Sequence, residues 1–141
     1  MELKHAETTG PLIELFFTVY RTLGYGFLEA VYGNAMMVAG KRLGLDIRKK
    51  VPIRVTFEGV VVGRYEADLV VNNVVIAELK AVRELCPEHE AQLLNYLKST
   101  SYEVGVLFNF GPKPRYKRMV FENVRKGNLS WIKTLTDADS R

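Results

Sequence analysis

Cysteine occurs once in the 141 residues, at Cys86, so an internal disulfide cannot form and a cysteine-rich zinc site is excluded. A reducing, cytoplasmic setting is the expectation. No apolar run approaches the roughly 18 to 20 residues needed to cross a bilayer, and Met1-Glu2-Leu3-Lys4-His5 lacks the basic-then-apolar build of a signal peptide. Internal repeats, low-complexity tracts and Pro/Ser-rich linkers are all missing. The expectation is therefore a single domain over 1–141, with a core of about 9–122 and a short C-terminal helix or tail over 123–141. Excess charge is small, +4 in all, which favours a polyanionic partner only weakly. Nothing has the pattern of a helix-turn-helix or another sequence-reading module.

What is present is the composition of a globular chain. Apolar residues make up 48% and charged ones 26%, enough to bury a core without disulfides or structural metals. Thr9 can cap a first helix with Pro11 in its first turn, and Leu12, Ile13, Phe16, Phe17, Tyr20 and Leu23 follow at helical spacing. Gly24-Tyr25-Gly26 interrupts it; a second helix is predicted from Phe27 to Leu43, stopped by Gly44. Three strands follow, Val51 to Phe57, Val60 to Val71 and Val74 to Val82, joined by turns at Glu58-Gly59 and Asn72-Asn73. Such a meander is antiparallel. Pro87 opens a helix that runs to about Ser99, Glu103 to Phe110 reads as a buried strand, and Tyr116 to Phe121 as a fifth. The order predicts an α/β domain, a mixed sheet covered by helices on both faces.

Three charged residues lie where charge is costly. Asp68 is followed by Leu69, Val70 and Val71, while Glu78 and Lys80 stand among Val75, Ile76, Ala77 and Leu79. Two neighbouring carboxylates repel, and a hard cation such as Mg²⁺ relieves the repulsion with oxygen ligands. Lys80, two residues beyond Glu78, points from the same face of its strand. The plain alternative is a buried ion pair of Lys80 with Asp68 or Glu78.

An Asp on one hairpin arm and Glu-x-Lys on the other resembles the PD-(D/E)xK nuclease superfamily, with its restriction-endonuclease-like core; Ala67 stands where the namesake Pro would be. Gly26-Phe27-Leu28-Glu29-Ala30-Val31-Tyr32 is similar to the motif that names the GxxExxY family of small prokaryotic proteins in that superfamily. The resemblance extends from about Thr9 to Gly111 and includes the closing Asn109-Phe110-Gly111, although Tyr25 replaces an expected Pro. It implies that Asp68, Glu78 and the Leu79 carbonyl bind Mg²⁺ or Mn²⁺, and that Lys80 positions or activates the attacking water. It further implies Glu29 as an added acidic ligand or base, and Gln92 turned toward the site from the helix after the Glu-x-Lys strand. His89, Gln92 and Tyr96 fall on one stripe of that helix, and Tyr32 shares a face with Glu29; Tyr32, His89 and Tyr96 are candidates for a supporting shell.

The turn at Asn72-Asn73 decides whether such a site can exist. A two-residue hairpin would set Asp68 opposite Ala77 and leave Asp68 and Glu78 on opposite faces. A three-residue loop, Asn72 to Val74, or a bulge in either strand pairs Asp68 with Glu78, and Asn tolerates the left-handed backbone this needs. A bulge or three-residue turn is therefore predicted.

Basic residues cluster at Arg48, Lys49 and Lys50, ahead of the first strand, and at Lys113, Arg115, Lys117 and Arg118, where they can flank a phosphate backbone; Tyr116 can stack on a base. The reading is a Mg²⁺- or Mn²⁺-dependent nuclease acting on DNA or RNA, with specificity supplied by a homodimer or a protein partner. Its rivals are a non-catalytic nucleic-acid-binding or assembly module with a retained fold, and a pyrophosphohydrolase of nucleotides or capped ends.

Overall fold

The computed structural model describes residues 3–127 and the backbone of 132–134. Its elements are α1 (Ala6–Leu23), α2 (Glu29–Arg42), β1 (Ile47–Phe57), β2 (Val60–Val71), β3 (Val75–Lys80), α3 (Pro87–Lys98), β4 (Val104–Phe110), β5 (Pro114–Val120), a 3₁₀ turn (Asn123–Arg125) and β6 (Ile132–Thr134). One mixed sheet runs in the order β5-β4-β3-β2-β1-β6. β3 and β4 are parallel, and the other neighbours are antiparallel. This is the mixed α/β sheet that the order of elements predicts, and it agrees with the restriction-endonuclease-like core that the motif resemblance implies.

Alternation along the strands builds two cores. Leu69, Val71, Val75, Ala77, Leu79, Val106 and Phe108 pack with Leu12, Phe16, Tyr32 and Met36 of α1 and α2. Val70, Ile76 and Leu107 turn the other way and meet Leu93, Tyr96 and Leu97 of α3. Helices thus cover both faces, and β3 and β4, buried on both, carry nearly unbroken apolar runs. Gly105 lies beneath α3, where an added Cβ would stand 2.8 Å from Leu93 Cδ1. Among the described residues no helix is long and apolar enough to cross a membrane.

Several boundaries differ from expectation. α1 starts at Ala6 rather than after a Thr9 cap, which leaves Pro11 inside the helix; Thr8 and Thr9 are both 97% buried, so packing extends the helix upstream of its proline. Arg48, Lys49 and Lys50 belong to β1 rather than preceding it, because β2 is long enough to pair Ile47 with Val71. Within the stretch predicted as a short helix or tail, Ile132–Thr134 instead pairs with Ile53–Val55 as an edge strand; the other residues beyond 127 lie outside the described residues.

Candidate active site at the fork between β2 and β3

The β2–β3 ladder pairs Val71 with Val75, Val70 with Ile76 and Leu69 with Ala77, which leaves a three-residue loop of Asn72, Asn73 and Val74. Both asparagines have positive φ, 50° and 57°, a conformation their short polar side chains tolerate. Asn72 is fastened further: its N–H donates to the Asp46 carbonyl, and its Oδ1 accepts from the Asp46 N–H. The predicted turn is therefore present. Carried one step further, its register sets Asp68 opposite Glu78.

There the backbone ladder ends and side chains replace it. The Asp68 N–H donates to Glu78 Oε1 at 2.9 Å, and the Leu79 N–H donates to Asp68 Oδ2 at 2.8 Å. In an extended strand the N–H and C=O of one residue leave by the same edge, so the Leu79 carbonyl faces this fork as well. Glu78 is 98% buried. Burial first, and the facing Asp68 carboxylate second, push its pKa up from 4.5 to about 9. Burial therefore favours the protonated form of the Glu78 carboxyl near neutral pH.

Lys80 lies beyond Glu78 on the α3 side and is half-buried. Among the described residues it closes no ion pair with either carboxylate. The buried-ion-pair alternative is thus not what the structure forms. On α3, Gln92 Nε2 donates to the Tyr96 hydroxyl at 3.2 Å. The Tyr96 phenol is pushed up by its own burial and then by the nearby Glu78 charge, which places it beside the acidic pair. His89 is engaged elsewhere: its Nδ1 accepts the Cys86 N–H at 3.1 Å in a capping box at the start of α3.

Asp68 sits where the sheet turns its faces over. Leu69 belongs to the core under α1 and α2, yet Ala67, two residues earlier, belongs to the core under α3. Opposite, Ile47 and Val51 change sides in the same way around Lys50, whose φ is 55°. This kink brings Asp68 into a cavity of about 260 Å³ on the α2 side, lined also by Glu29, Ala30, Gly33, Asn34, Lys49, Lys50 and Leu79. The Lys49 ammonium donates to Asn34 Oδ1 at 2.8 Å. The sequence marks Lys49 and Lys50 as part of a basic cluster, but neither Asn34 nor the left-handed backbone of Lys50 stands out there, since both depend on the β1–α2 packing.

Glu29 opens α2 and shares this cavity, but among the described residues no three His, Cys, Asp or Glu side chains form a ready-made metal cage. Tyr32 is fully buried, stacked on Phe110 at 4.2 Å. Its hydroxyl donates to the Gly24 carbonyl at 2.6 Å and accepts the Phe27 N–H at 3.2 Å. Gly26, with φ 121°, supplies a backbone that a side chain would strain. Gly26 and Tyr32 therefore shape the loop that delivers Glu29, and Tyr32 itself works through that loop.

Beyond Lys80 the chain is held by the Asn109-Phe110-Gly111 segment. Asn109 Oδ1 accepts the Val82 N–H and its Nδ2 donates to the Val82 carbonyl, both at 3.0 Å. An added Cβ on Gly111 would stand 2.1 Å from the Val82 carbonyl oxygen. The second basic cluster is divided by strand alternation. Lys113, Arg115 and Lys117 line a cleft with Arg83 and Glu90, Lys117 in a 2.7 Å ion pair with Glu90. Arg118 turns to the opposite face and donates to the Lys4 carbonyl, and the Tyr116 ring meets Phe17 of α1 edge-on.

The donor set fits a hard divalent cation. Mg²⁺ and Mn²⁺ sites commonly use one or two carboxylates, keep several waters and complete the shell with substrate phosphate. Two acidic side chains, a strand carbonyl at an open fork, and a cavity with room for several waters meet that description.

No curated protein matches this chain. Among solved structures it is similar to the crystal structure of SSO0001, at 19% identity and a TM-score of 0.50 over 63% of this chain and 47% of the other. The chain thus spans about half the length of that protein, and the likeness is one of fold. The family model of the PD-(D/E)XK nuclease superfamily matches residues 6–119, so the chain belongs to that superfamily.

Proposed function

We propose that this protein is a divalent-metal-dependent phosphodiesterase that hydrolyses DNA or RNA. Asp68, Glu78 and the Leu79 carbonyl would hold Mg²⁺ or Mn²⁺, with Glu29 contributing through water from across the cavity. A bound ion of this kind lowers the pKa of water and offsets charge building on the phosphate. Glu78 must give up its proton to serve as a ligand, and Asp68 fixes its place through the two cross-strand hydrogen bonds. Lys80, unpaired and next along the same strand face, is available to the scissile phosphate or the attacking water. Gln92, with its amide nitrogen on Tyr96, keeps its carbonyl oxygen to orient a water.

The observation that carries this reading is the fork itself. Two carboxyl groups are held face to face at the fork, and the neighbouring lysine, whose charge is felt at Glu78, closes an ion pair with neither among the described residues. Such an arrangement is costly as a structural device and suited to a cation. A Gly26 turn, a cavity-facing Glu29 and a clamping Tyr32 are roles consistent with membership of the GxxExxY group. A homodimer or protein partner remains part of the proposal as the source of specificity.

The test is cleavage of labelled single- and double-stranded DNA and RNA with Mg²⁺, Mn²⁺ or EDTA, beside Asp68→Asn and Lys80→Ala. Asn retains an acceptor for the Leu79 N–H, so the fold should survive. Metal-dependent cutting that both substitutions reduce by at least about 100-fold supports the reading, a loss within the range for a group acting on the transition state. A folded parent that cuts no polymer under any of these conditions, or cutting that both variants retain, overturns it.

A further inference from the structure

The cleft beyond Lys80 lies next to the fork along the end of the sheet. Lys80 is the register partner of Asn109 on β4, and Asn109 is the partner of Arg115 on β5. One row therefore crosses three strands from the proposed catalytic lysine to Arg115, about 10 Å at ~4.8 Å per strand. The side chains that alternate onto the α3 side, Glu78 and Lys80 on β3 and Arg115 and Lys117 on β5, share one face. The loop after β3 adds Arg83, and the turn after β4 adds Lys113.

Arg83, Lys113 and Arg115 close no ion pair among the described residues, whereas Glu90 engages Lys117. Four cations face two carboxylates, Glu84 and Glu90, around a volume of about 810 Å³. Guanidinium groups without a carboxylate partner in a concave wall match phosphate oxygens, which they can grip with two parallel hydrogen bonds; Arg115 donates only one Nη to the neighbouring Pro114 carbonyl among the described residues. The Asn109–Val82 clamp holds Arg83 next to this row by fixing the residue before it. A positively charged groove about 10 Å long suits the backbone of one unpaired strand, which such grooves track through its phosphates.

We propose that this cleft is a backbone-binding subsite, in which Arg83 and Arg115, with Lys113, grip the phosphates of a single-stranded flank on one side of the scissile bond. The proposal rests on the nuclease reading and narrows its substrate: the enzyme acts on a polymer with an unpaired strand beside the cut, not on a mononucleotide. Arg118 takes no part, since it leaves β5 on the other face, and Tyr116 borders the cleft with its ring packed edge-on against Phe17.

Binding measured in EDTA separates this subsite from catalysis. Fluorescence anisotropy would follow labelled oligothymidylate and oligouridylate of about a dozen nucleotides, and a blunt duplex of similar length, across a salt series. The protein would be the parent, Arg83→Ala combined with Arg115→Ala, and a control with Arg42→Ala and Arg64→Ala. Expected is a loss of about tenfold or more for the single strands in the first variant, with the salt slope falling by about one per lost phosphate contact. The duplex should bind more weakly and respond less, and the control should match the parent. Unchanged single-strand affinity, an equal loss in the control, or duplex binding that falls as far as single-strand binding overturns the proposal. Failure of the nuclease reading would look different: binding that depends on both arginines, with no metal-dependent cleavage.

Discussion

Glu78 is where stability and chemistry conflict most directly. Its folded pKa, about 9, lies above the usual 4.5 because of burial and the Asp68 carboxylate. Between those values the folded chain holds a proton that the unfolded chain has released, so this group makes stability fall as pH rises. Glu78→Gln keeps an acceptor for the Asp68 N–H and removes the titration. Urea denaturation at pH 6 and pH 9 should show a shallower decline for Glu78→Gln than for the parent. The variant should also lose any rise in Tm on adding Mn²⁺. An unchanged pH slope would refute this assignment of the proton.

Residue identity explains some sequence signals better than others. Asp68, Glu78 and Lys80 are legible because charge within an apolar strand stands out in any window. The basic charge of Lys50 is legible too, but its left-handed backbone is not: that follows from the change of face around Asp68, which no local pattern encodes. His89 invites a catalytic reading until its ring is seen to cap α3.

Among the elements, the two connections that flank the site bear most on its geometry. The Val82 backbone is held through both ends of the Asn109 amide, and Gly111 leaves room for its carbonyl oxygen. Asn109→Ala leaves both Val82 groups without those partners and should lower stability by about 2–4 kcal/mol. Gly111→Ala forces Cβ toward the Val82 carbonyl and should cost about 1–3 kcal/mol as overpacking. Denaturant titration measures both, and an effect near zero for either would show that the loop is held by other contacts. On the opposite side, Tyr32→Phe removes the hydroxyl from Gly24 and Phe27 while keeping the ring on Phe110. About 1–2 kcal/mol of stability should be lost. If the loop then misplaces Glu29, kcat falls more than KM rises; a change in stability alone would confine Tyr32 to structure.

The helices and strands were mostly readable as elements, since burial imposes its period on sequence. Their ends were less so. Pro11 marks a helix start in sequence, yet Thr8 and Thr9 find buried places that carry α1 past it. Strand β1 begins among lysines because β2 offers partners there.

Across the whole molecule, the N-terminal and C-terminal parts meet at Glu103. Its carboxylate accepts the Asn123 N–H at 2.7 Å and the Lys4 ammonium at 3.3 Å. The Asn123 N–H first, and Lys4 with it, hold the Glu103 pKa below 4.5 despite the opposing effect of burial. The sign is opposite to that of Glu78: this stabilisation is complete above the usual carboxylate value and is lost as pH falls through the lower folded one. Glu103→Gln should therefore be less stable than the parent at neutral pH and approach it below pH ~4. Thermal denaturation over that range tests it, and a gap that persists in acid would assign the effect to something other than charge.

From the sequence alone follow the α/β class, the buried strand β4 and the need for a bulge or a three-residue turn if Asp68 is to face Glu78, because these rest on local periodicity and backbone preference; the ladder of β2 with β3 chose the three-residue loop. Tertiary structure alone decided that Lys80 stays unpaired, that Glu29 lines a cavity without completing a carboxylate cage, and that β5 sends Arg115 and Arg118 to opposite faces. Those outcomes depend on how separate segments pack together, and distances between segments are set by the packing of both cores rather than by any stretch of neighbouring residues.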